Sequence, residues 1–262
     1  MAARRQGPNL KKRFGQHHLI RAEACRPLID YLAPDGRRVL EIGPGGGILT
    51  AGLLAAGARV DALEIDLEWG LGLPGRIGGD RLAVVVGDAL AFDLGRWPAR
   101  TLAAGNLPYN VATAFIRELV RHHRVFPRAA FLVQREVAER LVAAPGSRDY
   151  GALTVLVGAR ATVSWLGRVR PAAFRPPPKV EGAFVGLELT PPPLSEPEMT
   201  RLTETVHAAF ATRRKTLRNA LAARWGRARA EQALAAARVT AGRRAEELGL
   251  EDFLALTRAL GG

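Results

Sequence analysis

The chain has 262 residues, a length that suits one large domain or one domain with a small companion, and 48% of them are hydrophobic, enough for a packed core. It contains no apolar run of roughly 18 residues that would cross a membrane, and its basic N-terminus lacks the apolar stretch of a secretory signal, so a cytoplasmic protein is expected. A single cysteine, Cys25, excludes an internal disulfide and a multi-cysteine zinc site; no metal is expected, and 38 Lys and Arg against 25 Asp and Glu give a formal charge of +13 that points to a polyanionic partner.

Taken in chain order, the first 22 residues carry Arg4, Arg5, Lys11, Lys12, Arg13 and Arg21 and no carboxylate. Arg38-Val-Leu-Glu-Ile42 reads as a strand that runs into the glycine-rich Gly43-Pro-Gly-Gly-Gly47, and Ile48 to Ala56 reads as a helix. Val60 to Glu64 is a second strand, and Leu82 to Gly87 a third with the unbroken apolar character of a strand buried on both faces. Thr101 to Gly105 and Ala130 to Gln134 are the fourth and fifth, with helices at Val111 to His122 and Arg135 to Ala143. The stretch Trp69 to Gly75 is too rich in glycine for a good helix, which leaves that crossover weakly specified. Further strands fit near Ala161 to Val169 and Gly182 to Leu189. The alternation predicts an α/β fold with a doubly wound, mostly parallel sheet.

Thr190-Pro-Pro-Pro193 cannot continue a central strand, and beyond it the pattern is helical and basic. Met199 to Arg224, Ala228 to Arg238 and Leu250 to Leu260 read as helices, which predicts domains at 1–192 and 193–262. From Arg201 to Arg244 eleven cations face only two carboxylates, Glu204 and Glu231. Two basic clusters at opposite ends of the sequence could form one surface for nucleic acid.

A glycine-rich turn after the first strand lets the backbone approach a ligand closely, which suits either a dinucleotide or S-adenosylmethionine. The dinucleotide fingerprint would need glycines at 43, 45 and 48, but position 48 is Ile, and no Gly-Lys-Ser/Thr is present for a nucleoside triphosphate. Glu64, at the end of the second strand, can accept from two ribose hydroxyls, and Asp88, after the third, from an adenine amine. Asn106-Leu-Pro-Tyr109 follows the fourth strand and suits methyl transfer to an exocyclic amine. That amine is a poor nucleophile because its lone pair is delocalised into the ring. An Asn oxygen and a backbone carbonyl accepting its two hydrogens would draw the nitrogen pyramidal and aim the lone pair at a methyl sulfonium. Pro108 removes a competing donor and stiffens the turn, and Tyr109 offers a face for stacking the base.

With these residues the chain resembles the ribosomal RNA adenine dimethyltransferases, in the branch linked to kasugamycin sensitivity. The matching segments are Arg13-Phe-Gly-Gln16, Glu41-Ile-Gly-Pro-Gly45, Glu64-Ile-Asp66, Gly87-Asp-Ala89, Gly105-Asn-Leu-Pro-Tyr-Asn110, Gln134 to Arg140, Tyr150-Gly151, Phe174 to Val180 and Phe210 to Asn219, in family order across nearly the whole chain. The resemblance implies a Rossmann-like class I S-adenosylmethionine-dependent methyltransferase core with a small all-helical C-terminal domain. It implies two methyl groups added to N6 of each of two adjacent adenosines near the 3′ end of small-subunit (16S) rRNA, within a precursor ribosomal particle, by a monomer.

Gly43, Glu64, Asp88 and Asn106 match cofactor-contacting positions of the family, and Leu19 matches one near the N-terminus. His17 and His18 depart from it, standing where the family has Asn and Phe, and His17 can still donate a hydrogen bond to the cofactor. The mechanism this implies has Asn106 and the Leu107 carbonyl holding the amine, Tyr109 stacking the base and Phe174 closing its other face. Arg213, Arg214, Lys215 and Arg218, within two turns of one predicted helix, would contact phosphates, with Lys11, Lys12 and Arg13 clamping from the other side. The rival readings are a macrolide-resistance-type enzyme acting on large-subunit rRNA, a mainly noncatalytic ribosome-assembly factor and, more distantly, a dinucleotide oxidoreductase.

Overall fold

The computed structural model describes residues 17–108, 110–212 and 215–261. Lys11, Lys12, Arg13, Tyr109, Arg213 and Arg214 lie outside the described residues. No described helix is long and apolar enough to cross a membrane.

The chain forms two compact units. The first comprises 1–138 and 162–190, the second 139–161 and 191–262. The second unit begins after the proline-marked change at residue 190, but it also takes in 139–161, which the sequence reading leaves within the first domain.

In the first unit, β2 (Arg38–Ile42), β3 (Arg59–Glu64), β4 (Leu82–Val86), β5 (Leu102–Asn106) and β6 (Arg128–Gln134) are parallel neighbours in the order β4-β3-β2-β5-β6. β9 (Gly182–Leu189) adds antiparallel to β6, and β7 (Ala161–Val169) completes seven strands among the described residues. The order runs outward in both directions from β2 and β5, and such a switch point opens a crevice at the strand C-termini. The register makes those ends level: Ile42 is opposite both Leu63 and Gly105, and Glu64 is opposite Val86. Leu28 and Leu32 of α1 (Arg26–Leu32) and Leu49 and Leu53 of α2 (Ile48–Ala55), at most 5% exposed, share one core with Val39 of β2 and Leu102 and Ala104 of β5. A separate two-stranded ribbon pairs β1 (His18–Leu19) antiparallel with β8 (Phe174–Arg175).

Three expectations are corrected. β4 is not buried on both faces: it is the edge strand, its residues are half-buried or exposed, and Val86 is 37% exposed. An apolar run cannot tell an inner strand from an edge, because strand order is a non-local property. The glycine-rich crossover is a regular helix, α3 (Leu67–Ile77), whose first turn is capped by Asp66 Oδ1 accepting from the Glu68 and Trp69 amides at 3.0 and 3.4 Å. Its glycine has a packing reason: a Cβ on Gly70 would meet Val86 Cγ2 at 2.8 Å, so the helix lies closer to the sheet than an alanine would allow.

The third correction falls in the helical unit. The expected helix from Met199 to Arg224 is two, α7 (Glu196–Phe210) and α8 (Leu217–Trp225). Lys215 sits in the connection and Arg218 in the first turn of α8, so these two cations do not share one helix. Phe210 and Leu217 both pack into the unit's core, and the chain must break between them to place both there. That core joins α6 (Ala152–Gly158), α9 (Arg227–Ala236) and α10 (Leu250–Gly261) through Val155, Leu202, Val206, Leu221, Leu234 and Phe253. The chain passes from the first unit to the second within α5 (Arg135–Leu141), which follows β6 directly. The buried Tyr150 hydroxyl donates to the Leu248 carbonyl at 2.7 Å, and this pairing draws 139–161 to the helical unit.

Candidate active site

The site is built on the crevice edge of the first unit. After β2 the chain turns through Gly43 and Gly45, with φ of 66° and 49°, in the left-handed region that a side chain disfavours. Gly43 N–H still bonds the Leu63 carbonyl at 2.9 Å, so the turn starts level with β3 before folding under the start of α2.

Glu64 ends β3 and is 4% exposed. Its Oε2 accepts from Gly45 N–H and its Oε1 from Asp66 N–H, each at 3.0 Å, so one carboxylate ties the glycine turn to the cap of α3. Burial pushes its pKa above the ordinary carboxylate value, opposed by those backbone donors. Asp88 follows β4 and is exposed, and its Oδ1 accepts from Leu90 N–H at 2.9 Å.

Asn106 ends β5, and its Nδ2 donates to the His17 carbonyl at 2.8 Å. His17 is held in turn by its ring, whose Nδ1 lies 2.8 Å from the Pro176 carbonyl oxygen. Beyond β5, Leu107 N–H bonds the Leu132 carbonyl at 3.0 Å, and the Pro108 carbonyl accepts from the Val111 and Ala112 amides, both at 3.0 Å, to start α4 (Ala112–Leu119). The Leu107 carbonyl between them accepts no backbone bond among the described residues. Among the described residues the turn thus engages the Leu107 N–H and the Pro108 carbonyl in backbone bonds and leaves the Leu107 carbonyl without one.

These elements enclose a pocket whose empty space, open mouth included, is about 840 Å³. Gly43, Glu64, Asp88, Asn106, Leu107, Pro108 and His17 all line it. His18, Ile65, Ala89, Asn110 and Val111 are among the further wall residues that had no wall position assigned from sequence. Asn110 belongs to the quoted Asn-Leu-Pro-Tyr-Asn motif, which was the available signal for it. Leu19 does not reach the main pocket: it is 6% exposed and opposite Phe174 in the ribbon, and it lines a neighbouring recess of about 310 Å³. Phe174 is 4% exposed and packs with the core around Leu19 and Leu132, so among the described residues it forms no part of the pocket wall.

The recess exposes a feature that sequence reasoning passed over. Glu41, 1% exposed on β2, lines it together with His18, Gly43, Gly45 and Asn106. Its Oε2 is buried with no hydrogen-bond partner among the described residues, as is the nearby Thr50 hydroxyl. Burial pushes the Glu41 carboxyl up to about 8, and the Glu64 charge adds to the rise. His18 lies against the glycine turn, and burial, followed by the Arg76 and His17 charges, lowers its pKa to about 4, so its ring is neutral.

The arrangement fits S-adenosylmethionine. Apolar walls and Asp88 suit an adenine, Glu64 suits a ribose diol, and the Glu41 carboxyl beside the glycine turn, whose Oε2 has no partner among the described residues, suits a hydrogen bond from the ammonium of the amino-acid end.

Residues 7–260 match the family described as Ribosomal RNA adenine dimethylase. The chain is 43% identical over 266 residues to a Ribosomal RNA small subunit methyltransferase A of Anaeromyxobacter dehalogenans, which covers 96% of this chain and 93% of that protein. Its fold is that of a dimethyladenosine transferase from Plasmodium falciparum, with a TM-score of 0.76 at 24% identity over 92% of this chain and 96% of the other. It also resembles the 23S rRNA methyltransferase ErmE, with a TM-score of 0.73 at 25% identity over 93% and 99% of the two chains.

Proposed function

Because the chain belongs to the ribosomal RNA adenine dimethylase family, we propose that its pocket transfers methyl groups from S-adenosylmethionine to N6 of two adjacent adenosines near the 3′ end of small-subunit rRNA. The observation that carries this reading is the convergence of Glu64, Asp88 and Asn106, from the ends of three different strands, on one cavity.

S-adenosylmethionine supplies the electrophilic methyl. Glu64 would hold the ribose hydroxyls, Asp88 the adenine amine, and Glu41, as a hydrogen-bond acceptor, the ammonium of the amino-acid end. Asn106 Oδ1 and the Leu107 carbonyl accept the two hydrogens of the target amine. Each acceptor draws electron density onto the nitrogen and orients its lone pair, so most of the acceleration comes from proximity and alignment. Pro108 fixes the turn, and Tyr109 stacks the extruded base. Phe174 supports the β1 strand from behind rather than touching the base. His17 acts through its carbonyl on Asn106.

The RNA is held by charge. Arg213, Arg214, Lys215 and Arg218 in the helical unit, and Lys11, Lys12 and Arg13 at the N-terminus, contact phosphates and leave specificity to RNA shape. The substrate is a precursor ribosomal particle, engaged by a monomer in the cytoplasm.

Incubating purified precursor small subunits with isotope-labelled cofactor and mapping the product by mass spectrometry tests the reading; label on two neighbouring adenines is expected. The ErmE-like fold keeps one rival in play, since the two neighbours have nearly equal structural similarity. Label appearing only on large-subunit rRNA would select that rival.

A further inference from the structure

The crossover helix α3 that sequence propensity disfavours carries two residues with no counterpart in the family motifs quoted above, Trp69 in its first turn and Arg76 in its last. Arg76 Nη2 donates to the Gly45 carbonyl at 3.1 Å and to the Trp69 carbonyl at 2.7 Å. Its guanidinium carbon lies 4.9 Å from the centre of the Trp69 ring, a cation–π distance. On Trp69 also rests the edge of His18, with ring centres 4.4 Å apart and planes at 78°. The His18 ring in turn lies against the glycine turn: a Cβ on Gly45 would stand 2.9 Å from Nε2, and one on Gly46 would stand 3.4 Å from Nδ1.

Gly45 is thus gripped at every polar group it has. Its N–H is taken by Glu64 and its carbonyl by Arg76, while His18 closes the space a side chain would fill. A glycine with positive φ has the widest conformational freedom in the chain, and an unclamped turn would have to be ordered by the ligand at the expense of affinity. The clamp acts on the part of the pocket away from Asp88, where the amino-acid end of the cofactor lies on the reading given above, on which this inference rests.

We propose that Arg76 and Trp69 are positioning residues that, with His18, preorganise the Gly45 turn for the amino-acid end of the cofactor. The same pair gives the His18 ring its packing partner. Trp69 offers the flat partner against which an imidazole edge packs, and Arg76 holds that partner in place.

The test measures affinity for S-adenosylmethionine, S-adenosylhomocysteine and plain adenosine by calorimetry, with turnover at saturating cofactor alongside. Arg76→Met removes both hydrogen bonds while keeping an apolar stem over Trp69. It is expected to weaken both full-length ligands about tenfold while adenosine affinity and saturated kcat stay within about twofold. Arg76→Lys keeps the charge and can remake one bond, so it should recover part of the loss. Trp69→Leu should weaken the same two ligands, and its combination with Arg76→Met should fall short of additive because both changes dismantle one contact. Thermal melts of each variant establish that it is folded, and Arg76→Lys serves if Arg76→Met is not. Equal weakening of adenosine and the full-length ligands, or unchanged affinity in a folded Arg76→Met, would overturn the proposal. A wild-type protein that binds none of the three would instead reject the cofactor reading itself.

Discussion

The Asn106 side-chain amide donates to the main-chain carbonyl of His17 across 89 residues of sequence, at 2.8 Å. A carbonyl can only accept, so this bond settles which end of the planar amide is nitrogen and turns Oδ1 away from the N-terminal strand. Oδ1 is the atom that the proposed chemistry requires as an acceptor for the target amine.

Asn106→Ala should therefore lose about a hundredfold or more in kcat, comparable to removing one preorganised polar group from a transition state, with cofactor affinity retained within several-fold. His17→Ala, which frees the strand from Pro176, should lose about fivefold in kcat, the effect of one ordinary hydrogen bond. Single-turnover methylation with saturating cofactor checks both, and near-normal turnover in Asn106→Ala would remove that residue from the mechanism.

Glu64→Gln tests the carboxylate that bridges the glycine turn and α3. Both of its oxygens accept backbone N–H donors, and glutamine offers only one acceptor, which leaves either Gly45 or Asp66 N–H facing an amide nitrogen. An unpaired buried donor costs about 1–3 kcal/mol, so cofactor affinity should fall roughly ten- to a hundredfold and thermal stability should fall with it. Unchanged affinity by calorimetry would deny Glu64 its ribose role.

One buried and one half-buried group give opposite pH trends in stability. Glu41 is raised from 4.5 to about 8, so the folded protein keeps a proton that the unfolded chain releases; stability falls as pH rises from 4.5 to 8 and is level above. His18 is lowered from 6.5 to about 4, so the unfolded chain gains a proton that the fold refuses; stability falls as pH drops from 6.5 to 4. Glu41→Gln should flatten the alkaline slope and His18→Phe the acid slope. Denaturant melts across pH 4.5 to 8 read both, and a Glu41→Gln variant with the wild-type alkaline slope would show that Glu41 is ionised in the fold.

Charge reversal at Arg213, Arg214 and Lys215 should weaken binding to precursor subunits and lower the salt dependence by roughly one unit of slope for each phosphate no longer neutralised. Cofactor affinity should not change. Binding measured at several salt concentrations distinguishes this from general unfolding, and an unaltered slope would place the RNA surface elsewhere.

Much of the fold is legible in the sequence because its signals are local. The apolar runs of β2, β3 and β5, the glycine turn and the carboxylates at strand ends each occupy a few consecutive residues. The sheet's crevice edge then follows from parallel strand order, so Glu64, Asp88 and Asn106 can be grouped from sequence alone. What misleads is equally local. Gly70 and its neighbours carry a real helix penalty, but packing against Val86 outweighs it. The run from Leu82 to Val86 is apolar, but being at the sheet edge is a fact about other strands. The helix through Arg213 to Arg218 has the right propensity, but Phe210 and Leu217 need a break to share one core.

The sequence by itself determined the class of chemistry: short motifs fix which groups stand at each strand end, since a strand's last residue and the turn after it are separated by no freedom worth the name. Only the tertiary structure decided how those groups are held. The His17 carbonyl on Asn106, the Arg76 guanidinium on Gly45 and the unpartnered Glu41 oxygen beneath the turn join residues 31 to 89 positions apart or bury them without a mate. Such contacts depend on how whole elements pack, and no spacing along the chain encodes the distance between two side chains brought together by folding.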